Sequence, residues 1–332
     1  MTTDALSRAL SGQRGFGAVE LAEIAEFLAV DVHWLITGAD DPYRLTVSAR
    51  HTYDPFSGER KVSGAIPDGE ILKWIALAYE QVPPPPTTHL PQSASTLKAA
   101  LGDRFAPDFM ERLADLGVDV IRLEQLSTAY SFTLAGRCVV ALNSSGNWFH
   151  QNWSLAHELG HLVSGDVRVM PETAGVESFE FRANQFAAEL LLPEEELRRT
   201  EWGVADSATL ARFIWSSGVS TSALKNRLSN LRMHLSADVV TCLSQNTQRV
   251  LRNHHPDLNV DGRDLITERM QKASQRHFPA WLLSAHVEGI ADGRLGKGTL
   301  AWMLDIDEGE LELEQPDSRD LLRGDDLEAL LG

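Results

Sequence analysis

The sequence predicts an α+β protein: a small sheet set among helices, with mainly helical regions before and after it. Two observations carry this. Three short runs, 118–123, 129–134 and 137–143, are rich in β-branched and aromatic residues, and Val118-Asp119-Val120-Ile121-Arg122-Leu123 alternates as a half-buried strand does. Over much of the remaining chain apolar residues recur three and four apart, the helical period. With 332 residues, 43% hydrophobic and 23% charged, the chain has room for two or three domains and a sizeable core.

The elements follow in order. Thr3 can cap a helix through Leu10, which Gly12 stops; Val19, Leu21, Ile24, Ala25 and Leu28 mark a second, and His33–Ile36 a third that ends at Gly38. Residues 43–80 are mixed and finish in a helical pattern of Ile71, Trp74, Ile75, Ala78 and Tyr79. Pro83 to Pro86, with Pro91, make 82–93 a stiff linker. A helix opening at Ser95 or Thr96 and another from Pro107 to Leu116 precede Gly117 and the first strand. Ala135-Gly136 joins the other two strands, and helices dominate after 153. The expected segments are 1–42, a connecting region 43–93, a central unit 94–205, a helical extension 206–240, and a helical region with an acidic tail, 241–332.

Composition narrows the function. Thirty basic against 47 acidic residues leave a net charge of −17, which disfavours non-specific DNA binding. From Asp305 to Glu328 there are eleven acids and two bases, read as a solvated tail. No apolar run approaches the ~20 residues that span a bilayer, so no membrane partner is expected. Met1-Thr2-Thr3-Asp4 does not open a secretory signal, and two cysteines, Cys138 and Cys242, are too few for a disulfide framework. A cytoplasmic location is the expectation.

The chemistry concentrates at His157-Glu158-Leu159-Gly160-His161, an HExxH sequence. On a helix the two histidines lie one turn apart on one face and can share a metal ion, while Glu158 projects about 100° away, beside the metal, where it can take a proton from attacking water. Asn152 or Ser154 is expected to cap this helix, and Gly160 to mark a close approach near the ligands. Zinc needs a third protein ligand. The next helix, from about Glu177 to Leu192, offers Glu177, Glu180 and Glu189. Glu180 falls within the arc of Val176, Phe179, Ala183, Phe186, Ala187, Leu190 and Leu191, Glu189 falls opposite, and Glu177 sits at the margin. A carboxylate on a core face is costly unless paired or metal-bound, which singles out Glu180. Asn184, one turn on, is positioned to accept from the distal N–H of a ligand histidine.

His157–His161 followed by Glu180-Phe181-Arg182-Ala183-Asn184-Gln185-Phe186-Ala187-Ala188-Glu189-Leu190-Leu191-Leu192-Pro193 resembles the ImmA/IrrE family of zinc metallopeptidases, most strongly over 117–193. The resemblance implies a gluzincin-like minimal peptidase with zinc on His157, His161 and Glu180, and Glu158 as general base. Residues 1–42 resemble the later helices of XRE-type helix-turn-helix domains, without the first helices of that pattern. The family resemblance implies a repressor-type transcription regulator as the protein substrate. The competing expectation is a DNA-binding regulator or antitoxin-like protein with a structural zinc site, but 1–42 carries two arginines against seven acids, so any DNA contact is expected to be weak. Tyr130 and His150 are possible oxyanion donors, each read first as structural. His254-His255 reads as an exposed pair, Cys138 as core, and Gly293–Thr299 as a poor phosphate loop.

Overall fold

The computed structural model describes residues 3–28, 30–38, 52–53, 60–61, 68–86, 89–165 and 176–314. The chain divides into two compact units, Met1–Arg44 and Leu45–Gly332. The first holds α1 (Thr3–Leu10), α2 (Ala18–Leu28) and α3 (Val32–Thr37). Asp31 caps α3 by accepting from the His33 amide, and Gly38 ends it in the left-handed region at φ 72°. Arg14 clamps Glu20 through two hydrogen bonds of 2.9 and 2.8 Å.

The second unit is built on a three-stranded sheet in the order β3-β5-β4, numbered after a short pair, β1 (Thr52–Tyr53) and β2 (Arg60–Lys61). β3 (Val118–Leu123) runs parallel to β5 (Arg137–Asn143), and β4 (Tyr130–Leu134) runs antiparallel to β5 at the edge. Ala135 and Gly136 both take positive φ, 49° and 78°, the geometry of a two-residue hairpin whose twist matches the strands.

The alternation in β3 predicts one wet face, but all six of its residues are buried. Both sheet faces are covered. On one, Val118, Val120, Val140 and Leu142 pack with α5 (Ala94–Leu101), α6 (Phe109–Asp115), α7 (Trp148–Ser164), α8 (Val176–Leu191) and the helices beyond them. Those are α9 (Glu194–Arg198), α10 (Ser207–Ser217), α11 (Thr221–Asn230), α12 (Ala237–Leu243), α13 (Thr247–His254) and, after the hairpin β6 (Asn259–Val260) and β7 (Arg263–Asp264), α14 (Leu265–Ser274). On the other face, Ile121, Leu123, Tyr130, Phe132, Leu134, Val139 and Ala141 pack against α4 (Gly69–Glu80), α15 (Ala280–Ala291) and α16 (Gly298–Leu304). The expected boundaries at 205 and 240 therefore fall inside one continuous core. The supposed connecting region supplies a core helix, and the C-terminal region closes the back of the sheet. The acidic run beyond residue 314 lies outside the described residues.

The Asp119 charge in β3 tolerates burial because it is paired. Asp119 accepts from Arg137 Nε and Nη2 at 2.7 and 2.6 Å, from the Tyr79 hydroxyl at 2.9 Å and from Trp281 Nε1 at 3.0 Å. Burial and the Asp119 charge push the Tyr79 phenol well up, so it remains the donor. These bonds join α4, the sheet and α15. Arg137→Met strands the Asp119 charge and is expected to cost about 3–5 kcal/mol, read by urea unfolding. Adding Asp119→Leu should recover part of that loss; no recovery would mean the pair is not the source.

Candidate metal centre

α7 begins earlier than its sequence suggests. Asn147, not Asn152 or Ser154, is the cap and accepts from the His150 amide at 3.3 Å. Asn152 instead lies inside the helix and donates to the Gly218 carbonyl at 3.0 Å, while Gln151 donates to the carbonyls of Asn143 and Ala273. These bonds fix α7 against the sheet and the later helices. Gly165, at φ 71°, ends it.

α8 crosses α7 at Gly160. A Cβ there would lie 2.8 Å from the Ala183 Cα, closer than packed atoms come, and a tight 3.1 Å from both the Ala183 carbonyl oxygen and the Phe186 Cβ. The absent methyl lets the helices meet, and Glu180 lies almost one turn before the contact. Glu180 Oε2 is 3.3 Å from His157 Nε2, Glu180 Oε1 is 3.4 Å from His161 Nε2, and the two imidazole nitrogens are 3.1 Å apart. The structure thus brings together the three groups that the sequence singled out, with their ligating atoms within 4.8 Å of one another. Burial pushes the Glu180 carboxyl up, but hydrogen bonds and charge from His157 and His161 outweigh this and hold it well below the usual carboxylate range. It is therefore an anion facing two imidazoles.

The alternatives fall elsewhere. Glu189 is exposed and accepts from Gln185 at 2.9 Å; the Glu177 side chain lies outside the described residues. Asn184 departs from expectation: its amide nitrogen donates to the Glu180 backbone carbonyl at 2.9 Å, one turn back, instead of its oxygen receiving a histidine N–H. An asparagine inside a helix competes for the nearest backbone carbonyl, and here that local bond is the one made. It thereby braces the turn that carries Glu180.

Glu158 is 7% exposed, and its Oε2 accepts from Ser131 Oγ at 2.7 Å. Ser131 is wholly buried in β4. The sequence reading missed it, because a serine in a strand gives no sign of its partner; its place between Tyr130 and Phe132, on the opposite face of the strand, was the available signal. Tyr130 faces away from the site, and its hydroxyl donates to Asp68 at 2.8 Å, together with the Ser127 amide and hydroxyl at 2.9 Å. His150 is exposed near the start of α7. His254 and His255 are half-buried, not exposed, with His255 Nδ1 3.9 Å from Asp257. Cys138 packs against the core, Cys242 is buried, and 293–297 form the turn between α15 and α16.

A mixed fold that sets an HExxH helix against a glutamate-bearing helix is the arrangement that the motif leads one to expect of a metallopeptidase. Residues 113–229 match the family model of Peptidase_M78, the IrrE N-terminal-like domain. That segment spans the sheet and α7 to α11, including all the site residues, and supports the ImmA/IrrE family and a peptidase activity. No curated protein and no solved structure matches the chain. Among the described residues, no helix is long and apolar enough to cross a membrane.

Proposed function

We propose that the protein is a zinc-dependent endopeptidase that makes a limited cut in an intracellular transcription regulator, with an XRE-type repressor as the favoured substrate. The observation that carries this is the convergence of His157, His161 and Glu180 with a buried Glu158 next to His157 in sequence. Two imidazoles and one carboxylate are the donor set of a catalytic zinc site that keeps a position open, whereas structural sites are usually closed by four protein ligands. Zinc bound there would supply Lewis acidity, making water a stronger acid and polarising a peptide carbonyl.

The chain's own groups do the rest. Glu158 accepts the proton of the attacking water and passes it to the leaving amine nitrogen. The Ser131 hydroxyl holds one carboxylate oxygen and leaves the other to receive the proton. Because Ser131 belongs to the edge strand, that bond also places β4 beside the base, where an extended peptide can lie along the sheet. Such a peptide must come from an exposed loop or linker of the substrate, which favours a limited cut over general digestion.

About one zinc per chain is expected, with strong loss in His157→Ala, His161→Ala and Glu180→Ala, measured by metal analysis. Full occupancy in Glu180→Ala would remove it from the ligand set. Cleavage should then be compared on a candidate repressor and on casein at equal enzyme and metal. A single cut in the repressor supports the reading; fast, unselective casein turnover with the repressor intact sinks it.

A further inference from the structure

Arg122 stands apart from the other buried charges of the sheet. It is 5% exposed, its guanidinium makes no hydrogen bond or ion pair among the described residues, and Nε is sealed from solvent. Its backbone is fixed, exchanging two hydrogen bonds of 2.9 and 3.0 Å with His277. The side chain lines a cleft of about 50 Å³ bounded by α6, β3, the first turns of α7 and α14. Two more cations line the same cleft. Arg269 lies over the rings of Trp215 and Trp148, 3.5 and 4.4 Å from their centres. Burial lowers its pKa to about 10, so it keeps its charge at neutral pH. Lys272 Nζ is 2.6 Å from Glu111, the acid lining the cleft. Asp108 acts on Arg269 from nearby.

Three cations thus line the cleft against one carboxylate, Glu111, which pairs with Lys272 and also acts on Arg122 from a distance; the lining keeps an excess of two positive charges in a chain whose net charge is −17. With Nε sealed and no acceptor in reach among the described residues, the Arg122 guanidinium carries a desolvation penalty that a bound anion would reduce. Guanidinium donors match the paired oxygens of a phosphate or carboxylate. A water needs roughly 10–15 Å³ by the same kind of measure, so the cleft holds a few waters or one small oxyanion group. We propose that this cleft is a binding site for a small oxyanion, a phosphate or carboxylate group, with Arg122 the principal donor and Arg269 and Lys272 supplying charge. The site is separate from the metal-capable cluster, and its argument does not rest on the peptidase reading.

The test is thermal unfolding and calorimetric titration of the full chain, wild type and Arg122→Met, in inorganic phosphate, in acetate, and in sodium chloride at equal ionic strength. Wild type should show measurable binding and a melting temperature a few degrees above the chloride control in phosphate, acetate or both, and the larger response identifies the class. Arg122→Met should melt at or above wild type without anion, because a buried unpaired charge has been removed, and should bind at least tenfold more weakly. Arg269→Met should weaken binding too, which keeps the test decisive through a second residue. Three results would overturn the proposal: no response to either anion in wild type, an undiminished response in Arg122→Met, or a lower anion-free melting temperature or failure to fold in that variant. The last would reveal a structural partner for the guanidinium.

Discussion

Glu158→Gln is expected to lose at least about a thousandfold in peptide hydrolysis while keeping its metal and its melting temperature. The substitution is nearly isosteric, and the amide oxygen can still accept from the Ser131 hydroxyl now 2.7 Å from the carboxylate, so the buried packing survives. What the amide cannot do is take a proton from water. Neither His157 nor His161 can replace it while their Nε2 atoms are directed at the metal position. The measurement is single-turnover cleavage of the repressor substrate, paired with zinc content and a thermal melt of the same preparation. Cleavage within tenfold of wild type, with metal retained, would rule out Glu158 as the base.

Gly160→Ala should lower zinc affinity at least tenfold and destabilise the fold by about 1–3 kcal/mol. The direction opposes helix propensity, which favours alanine over glycine by about 1 kcal/mol. Tertiary contact decides it. The added methyl would stand 2.8 Å from a backbone atom of α8, and a backbone cannot rotate aside as a side chain can. The helices must part, and their separation sets the 3.3 and 3.4 Å distances between Glu180 and the histidines. Metal sites tolerate deviations of only about 0.2 Å in ligand distance, so a small displacement has a large effect on binding. Competition with a chelator measures the affinity and urea unfolding the stability. A more stable Gly160→Ala with unchanged affinity would show that the crossing is not what holds the ligands.

What could be read from the sequence was local. His157 and His161 are related by helical spacing alone, and the arc of apolar residues on α8 distinguishes Glu180 from Glu189 without knowledge of a partner. Gly160 betrayed a close contact because glycine inside a helix needs a reason. Lateral partners were not legible. Asp119 and Arg137 resemble the polar positions of a solvent-facing strand, yet they neutralise each other beneath α15, so the alternation overstated exposure. Ser131 is silent until β4 is laid beside α7. The side of the helix on which Asn184 lies points it to a histidine, but the Glu180 backbone carbonyl one turn back is the partner it takes. The early start of α7 is marked in the sequence by Asn147, a favoured cap residue, but Asn152 and Ser154 offer the same signal nearer the HExxH run; the burial of Trp148 and Phe149 decides for the earlier turn.

The closing of the sheet from behind has a consequence for synthesis. α4 is made before the strands, but α15 and α16, which complete that layer, end only at Leu304. From the end of β5 to that point about 160 residues remain to be translated, which takes roughly 8–30 s at bacterial and eukaryotic elongation rates. During that interval the nascent chain already carries His157, His161 and eventually Glu180, while Phe132, Leu134 and Val139 lack their full cover. Metal capture can therefore precede completion of the fold. A premature stop after α11 would release a chain with His157, His161 and Glu180 in place but with only α4 on that sheet face, its apolar residues partly open to chaperones and quality-control proteases.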